Sequence, residues 1–408
     1  MSRTICILAA LTALFITACG GGNGKNDPKT ITFWHFWSEP NQKQALKELI
    51  EEFEKETGYK VEMTELSWND GKTKLLAAFN SGTAPDALEL GSDWVAQFSS
   101  SGALAELNTI NLNNYIDFSR APAKWQGKTF AGPWIVDTRI MFYNKDLLKA
   151  AGLPEESPKT FEELLTACEK VQNSGNEYGW GANGPDPHRL YKKILPLFWS
   201  NGGEVIDSTG KVKLASDANA QALEMYIALS RVGMIETQRQ IDAAFTQGKI
   251  AFCNSGGWLI DKLKAENSKV RYGMALMPGM KGYPGISFAG GEYLAVSARS
   301  AKKEGAAALI KFLTDGKNSI KFCKKVMEAG FPADKNYIND SYFKSSPEKS
   351  LFAEQLKHSK MTPVHPLWLE MEAIIEESVT QALYGRMEPR GALINAQVEI
   401  LKLTQPAQ

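Results

Sequence analysis

Several stretches of the chain set tryptophan beside residues that donate or accept hydrogen bonds. They are Phe33-Trp34-His35-Phe36-Trp37-Ser38-Glu39-Pro40, Ser67-Trp68-Asn69-Asp70, Gly91-Ser92-Asp93-Trp94, Gly132-Pro133-Trp134, Trp199-Ser200-Asn201-Gly202-Gly203 and Ser255-Gly256-Gly257-Trp258. An indole is an apolar plate, and Asp, Glu, Asn, His and Ser supply a polar rim around it. A sugar ring needs both, a surface for its C–H face and partners for its hydroxyl edge. The candidate contacts are therefore His35, Trp37, Ser38, Glu39, Trp68, Asn69, Trp94, Trp134, Trp199, Asn201, Gly257 and Trp258, with Phe33 and Phe36 assigned to the core. Taken singly, each Trp reads as well as a core aromatic.

Other chemistries find less material. Gly179-Trp180-Gly181-Ala182-Asn183-Gly184 matches G-x-G-x-x-G, but no apolar strand precedes it and Pro185-Asp186-Pro187 replaces the expected helix, so it reads as a loop. Gly71-Lys72-Thr73 and Gly127-Lys128-Thr129 have Leu66 and Pro122 where a phosphate loop needs glycine. The four His (35, 188, 358, 365) never stand four apart, and no cofactor or metal is expected. There is no G-x-S-x-G elbow. A glycosidase needs only two carboxylates about 5–10 Å apart, and the 46 acidic residues leave that open.

Composition narrows the class. The 408 residues carry 46 basic and 46 acidic side chains, so the chain lacks the cationic surface of a nucleic-acid binder. With 43% hydrophobic and 23% charged residues it reads as globular, of a length for two or three domains or one bilobal body. The N-terminus differs. After Met1-Ser2-Arg3, an apolar run from Ile5 to Ile16 is shorter than the about 20 residues of a membrane-spanning helix and has the proportions of a secretory signal. A glycine-rich tether runs from Gly20 to Pro28. Of the five cysteines (6, 19, 168, 253, 323) none is spaced for a metal or redox pair, and the last three read as buried hydrophobes.

The aromatics need regular elements to position them. Ile31–Trp34 predicts a strand, 41–57 a helix closed by Gly58, 59–63 a strand, 72–80 a helix and 86–90 a third strand. This alternation is α/β, with ligands at the carboxyl ends of the strands, where three of the Trp clusters fall. Helices at 161–172, 217–232 and 301–314, strands at 250–253 and 272–277, and a mostly helical end from 351 complete the pattern.

Ordered blocks then carry a resemblance. Phe79-Asn80-Ser81-Gly82-Thr83-Ala84-Pro85-Asp86, Met141-Phe142-Tyr143-Asn144-Lys145-Asp146-Leu147-Leu148, Pro158-Lys159-Thr160-Phe161-Glu162-Glu163-Leu164, Ala244-Phe245-Thr246-Gln247-Gly248-Lys249-Ile250-Ala251 with Gly257-Trp258, and Gly290-Gly291-Glu292-Tyr293-Leu294-Ala295-Val296 resemble family 1 extracellular solute-binding proteins, the sugar receptors of ABC importers. Ile16-Thr17-Ala18-Cys19 resembles a bacterial lipobox, which implies cleavage before Cys19 and lipidation of its thiol.

The resemblance implies a periplasmic-binding-protein fold of the α/β class, two lobes joined by crossing hinge strands around a ligand cleft. It places the signal at 1–18, the tether at 19–28, an N-terminal lobe at 29–135 with 290–338, and a C-terminal lobe at 136–289 with 339–408. Asp86, Asp137, Gly290, Gly291 and Glu292 join the candidate contacts, the glycines also as hinge residues. It further implies a monomeric, non-enzymatic receptor, lipid-anchored outside the cytoplasm, taking a carbohydrate and serving a permease and an ATPase. The alternatives are the same fold with a polyamine, phosphodiester or iron chelate, and an exported glycan-acting enzyme.

Overall fold

The structure is a computed structural model and describes residues 27–175 and 177–404. The signal segment, Cys19 and the tether up to residue 26 lie outside the described residues.

In chain order the strands are β1 (Thr30–His35), β2 (Lys60–Glu65), β3 (Ala87–Gly91), the short pair β4 (Lys124–Trp125) and β5 (Lys128–Thr129), β6 (Ala131–Thr138), β7 (Ile140–Asn144), β8 (Tyr178–Asn183), β9 (Gly233–Glu236), β10 (Ile250–Ser255), β11 (Tyr272–Ala275), β12 (Ser287–Val296), β13 (Phe331–Pro332) and β14 (Ser359–Lys360). They form two principal sheets. The first runs β13-β6-β12-β3-β1-β2, with β14 added beside β12, and the second runs β11-β7-β10-β8-β9.

In the first sheet β1 lies parallel to β2 and β3, while β12 is antiparallel to both β3 and β6. In the second, β8, β9 and β10 are parallel and β7 is antiparallel to β10. The chain leaves the first sheet after Thr138, and Arg139 alone separates it from Ile140 of the second. It is back in the first sheet at Ser287.

Local sequence explains the elements. The helix Pro40–Thr57 opens with Pro at its first position and with the Gln42 amide oxygen accepting Glu39 N–H, and closes on left-handed Gly58. Its Ala45, Leu46, Leu49, Ile50 and Phe53 form one buried stripe against the first sheet. The helix Phe161–Ser174 starts from a Thr160–Glu163 capping box.

One expectation is overturned. Residues 179–183, expected as a loop, form β8, buried from Gly179 onward. The glycines there serve packing: a Cβ on Gly179 would stand 2.5 Å from the Cβ of Cys168, and one on Gly181 2.5 Å from Cγ2 of Ile241. Alternation of glycine with Trp180 and Ala182 hides the strand from a search for apolar runs.

Candidate functional site

The carboxyl ends of β1, β2 and β3 send out the loops that hold the first group of aromatics, as an open α/β sheet requires. Opposite them stand the end of β10, the turn into the helix Gly257–Ala265, and the helix Tyr191–Ser200. Contacts join the two sides. Tyr191 Oη donates to Asp93 Oδ2 at 2.9 Å, and Gln97 Nε2 donates to Glu370 Oε1 at 2.9 Å. Within the first side, Gln42 Nε2 donates to Glu328 Oε2 at 2.5 Å.

On the first side, Trp68 is partly exposed and stacks on Phe36 at 4.1 Å between centroids, edge-on to Trp94. Ser38, Glu39 and Asn69 are exposed at the loop tips. Asp93 Oδ2 accepts the Tyr191 hydroxyl. On the second side, Trp258 is partly exposed, and its Nε1 donates to Asp242 Oδ2 at 2.8 Å. Asp242 is buried and also accepts from Ser255 Oγ and Gln238 Nε2, and burial raises its carboxyl above the usual range. This network fixes the plane of the indole. Buried Lys193 donates to the Asn254 carbonyl at 2.8 Å, and burial lowers its ammonium to about 7.

Between the sides sits Arg139. Its guanidinium lies 5.5 Å from the Trp258 ring and 5.0 Å from that of Phe288, and pairs with Asp137 at 3.0 Å. Gly290 backs this pair, since a Cβ there would stand 2.2 Å from Asp137 Oδ1. Gly291 is buried and pairs with Val136. Gly257 begins its helix against the Met327 carbonyl, 2.9 Å from where its Cβ would be.

Carboxyl groups crowd the floor. Glu89 is fully buried in β3 and is pushed up to about 8 by burial; Glu292, on neighbouring β12, is pushed well above its ordinary value by burial and then by Glu89. Burial brings Glu328 to about 7 and Glu372 to about 7, the latter against His188.

Other expected contacts belong to the scaffold. Trp37 is 6% exposed and packs edge-on against Trp134 and Phe322, so it is a core wall and not an open plate. Trp134 is wholly buried in β6. Trp94 is buried behind Trp68 and Phe36. Trp199 is buried and stacked on Phe288. Asn201 is buried because its Nδ2 donates to the Ala218 carbonyl and Gln221 Oε1, tying down a helix end. Asp86 precedes β3 at the amino end, away from the strand tips, and accepts from Thr32 and Ser300. His35 is buried at the end of β1, where burial lowers its imidazole to about 4.

Sequence reasoning missed Glu89, Asp93, Arg139, Tyr191, Lys193 and Asp242. Glu89 did leave a mark, as a lone carboxylate in the apolar run Ala87-Leu88-Glu89-Leu90. Tyr191 and Lys193 were masked within an amphipathic helix.

The family model described as bacterial extracellular solute-binding protein matches residues 37–318. A galactooligosaccharide-binding protein of Bacillus subtilis is 26% identical, over 96% of this chain and 95% of its own. A maltooligosaccharide ABC transporter solute-binding lipoprotein of Streptococcus pneumoniae is 26% identical, over 75% of this chain and 74% of its own. Among solved structures, the GacH receptor of Streptomyces glaucescens, studied unliganded and with acarbose, superposes with a TM-score of 0.81 at 26% identity, covering 93% of this chain and 99% of that one.

Proposed function

The chain belongs to the bacterial extracellular solute-binding protein family, and from that premise we propose that it is the receptor subunit of an ABC importer and captures a sugar or oligosaccharide. The observation that carries the ligand class is the pairing of two partly exposed indoles, Trp68 and Trp258, on opposite sides of a floor rich in hydrogen-bonding groups. Ser38, Glu39, Asn69, Asp93 and Asp137 supply the polar rim around that floor, Glu292 belongs to the floor itself, and Gly257, Gly290 and Gly291 let backbone approach there without side chains.

In this reading the sugar is bound and released unchanged, and a partner permease and ATPase move it. The protein acts as a monomer, held outside the cytoplasm by a lipid on Cys19, as the lipoprotein relative's name supports. The lobes comprise 29–135 with 290–338, and 136–289 with 339–408, so that a ligand touching both favours a closed arrangement.

A thermal-shift screen over a panel of mono- and oligosaccharides tests this, with product analysis on every hit. Stabilisation without turnover is expected. Release of a cleaved product, or stabilisation by a non-sugar solute alone, would overturn it.

A further inference from the structure

The carboxylates at the floor of the cleft face few cations, and three of them, Glu89, Glu292 and Glu372, keep a buried oxygen with no partner. Glu292 pairs across the ladder with Gly91, and Glu89 with Leu294. Alternation therefore puts both carboxyl groups on one face, with only the side-chain-free Gly91 between them. Glu89 accepts Phe36 N–H through Oε2 at 2.9 Å and has the Trp37 indole N–H beside it, while its Oε1 makes no hydrogen bond of normal geometry, nor does Oε2 of Glu292.

The surroundings deepen the imbalance. Glu89, Asp93 and Asp137 all face Glu292, and the cation facing it is Lys192. Arg139 is already committed to Asp137. Glu39, Asp137 and Asp261 face Glu328, with Arg189 in return. Trp68 and Asp93 stand directly over the gap, since a Cβ on Gly91 would lie 3.8 Å from the Trp68 ring and 2.6 Å from Asp93 Oδ1.

A neutral hydroxyl donates a single hydrogen bond and leaves the other unpartnered oxygen unsatisfied. An ammonium donates up to three and pairs with the ionised forms of both groups once it displaces the protons that burial holds there. An indole beside the site adds attraction for a cation. We propose that the ligand is an amine-bearing saccharide whose ammonium seats between Glu89 and Glu292 beneath Trp68. This rests on the saccharide reading above and narrows it.

The test is calorimetric titration of the lipid-free protein at about pH 7, where a primary amine is still charged and its ammonium displaces the protons that burial holds on Glu89 and Glu292. The probes are a glucosamine trisaccharide, its N-acetylated counterpart and the neutral glucose trisaccharide of the same linkage. The amine is expected to bind about tenfold tighter than either neutral sugar, an advantage that shrinks in high salt. Glu292→Gln and Glu89→Gln, each checked for a native melt, are both expected to erase most of that preference. Equal or tighter binding of the neutral sugars would overturn the amine assignment and leave the saccharide reading standing. Failure of all three, with a non-sugar solute binding instead, would overturn both.

Discussion

The hydroxyl of Tyr191 and the carboxylate of Asp93 meet at 2.9 Å across the cleft, joining a helix beside the second sheet to the loop that leaves β3 of the first. The Tyr191 ring is buried against Phe288 and Trp368, so its position does not depend on that bond. Tyr191→Phe should therefore keep the fold and weaken ligand binding by about 0.5–1.5 kcal/mol, a two- to tenfold rise in Kd. Calorimetry decides it: an unchanged Kd would remove the bond from any role in holding the two sides together.

Trp258 and Trp134 should separate binding from stability. Trp258→Ala removes a partly exposed ring and the donor to Asp242 Oδ2, and should cost about 1–3 kcal/mol of binding with a loss of melting smaller than that of the core variant. Trp134→Ala empties a fully buried site and should cost about 3–5 kcal/mol of fold stability. Matching melting losses in the two variants would place Trp258 in the core as well.

The buried carboxyls set a pH dependence whose direction can be worked out. Glu89 rises from 4.5 to about 8 on folding, and Glu328 and Glu372 to about 7, so the folded state holds more protons than the unfolded one in between. Their contribution is full below 4.5 and is lost as pH climbs through 7 and 8. His35, lowered to about 4, acts in the opposite direction below 6.5, and Lys193, lowered to about 7, does so above 7. Between about pH 5.5 and 7.5 the ligand-free protein should lose several degrees of melting temperature, and Glu89→Gln should lose fewer. Parallel profiles for the two proteins would contradict the buried-carboxyl account.

Cys19→Ala tests the anchor. The variant should appear in the soluble extracytoplasmic fraction, where the wild type sediments with membranes. Persistent sedimentation of the variant would refute lipidation at that thiol.

The periodic elements were legible in the residues and the cleft only in outline. Pro40–Thr57, Phe161–Ser174 and Asp217–Arg231 each carry a stripe of apolar residues with caps at one or both ends, so their spans follow from local chemistry. Exposure is not local. Trp68 and Trp94 sit in similar Trp–polar segments, yet Trp68 faces outward and Trp94 is buried behind it, a difference made by Phe36. Trp199 and Asn201 looked like a loop contact because two glycines follow, but the helix Tyr191–Ser200 runs through Trp199 and Asn201 closes it. Pairings such as Asp242 with Trp258 depend on a helix and a turn meeting in space, which spacing along the chain does not encode.

β12 lies between β3 and β6 in the first sheet, pairing Leu88 with Ala295. A chain emerging from its N-terminus therefore carries three strands and their helices for some two hundred residues before the strand that joins them to β6 arrives. The β3–β12 pairing closes a long loop, a contact of high sequence separation that forms only after its loop-closure entropy is overcome. A truncation anywhere before residue 287 therefore leaves β3 and β6 without the strand that joins them.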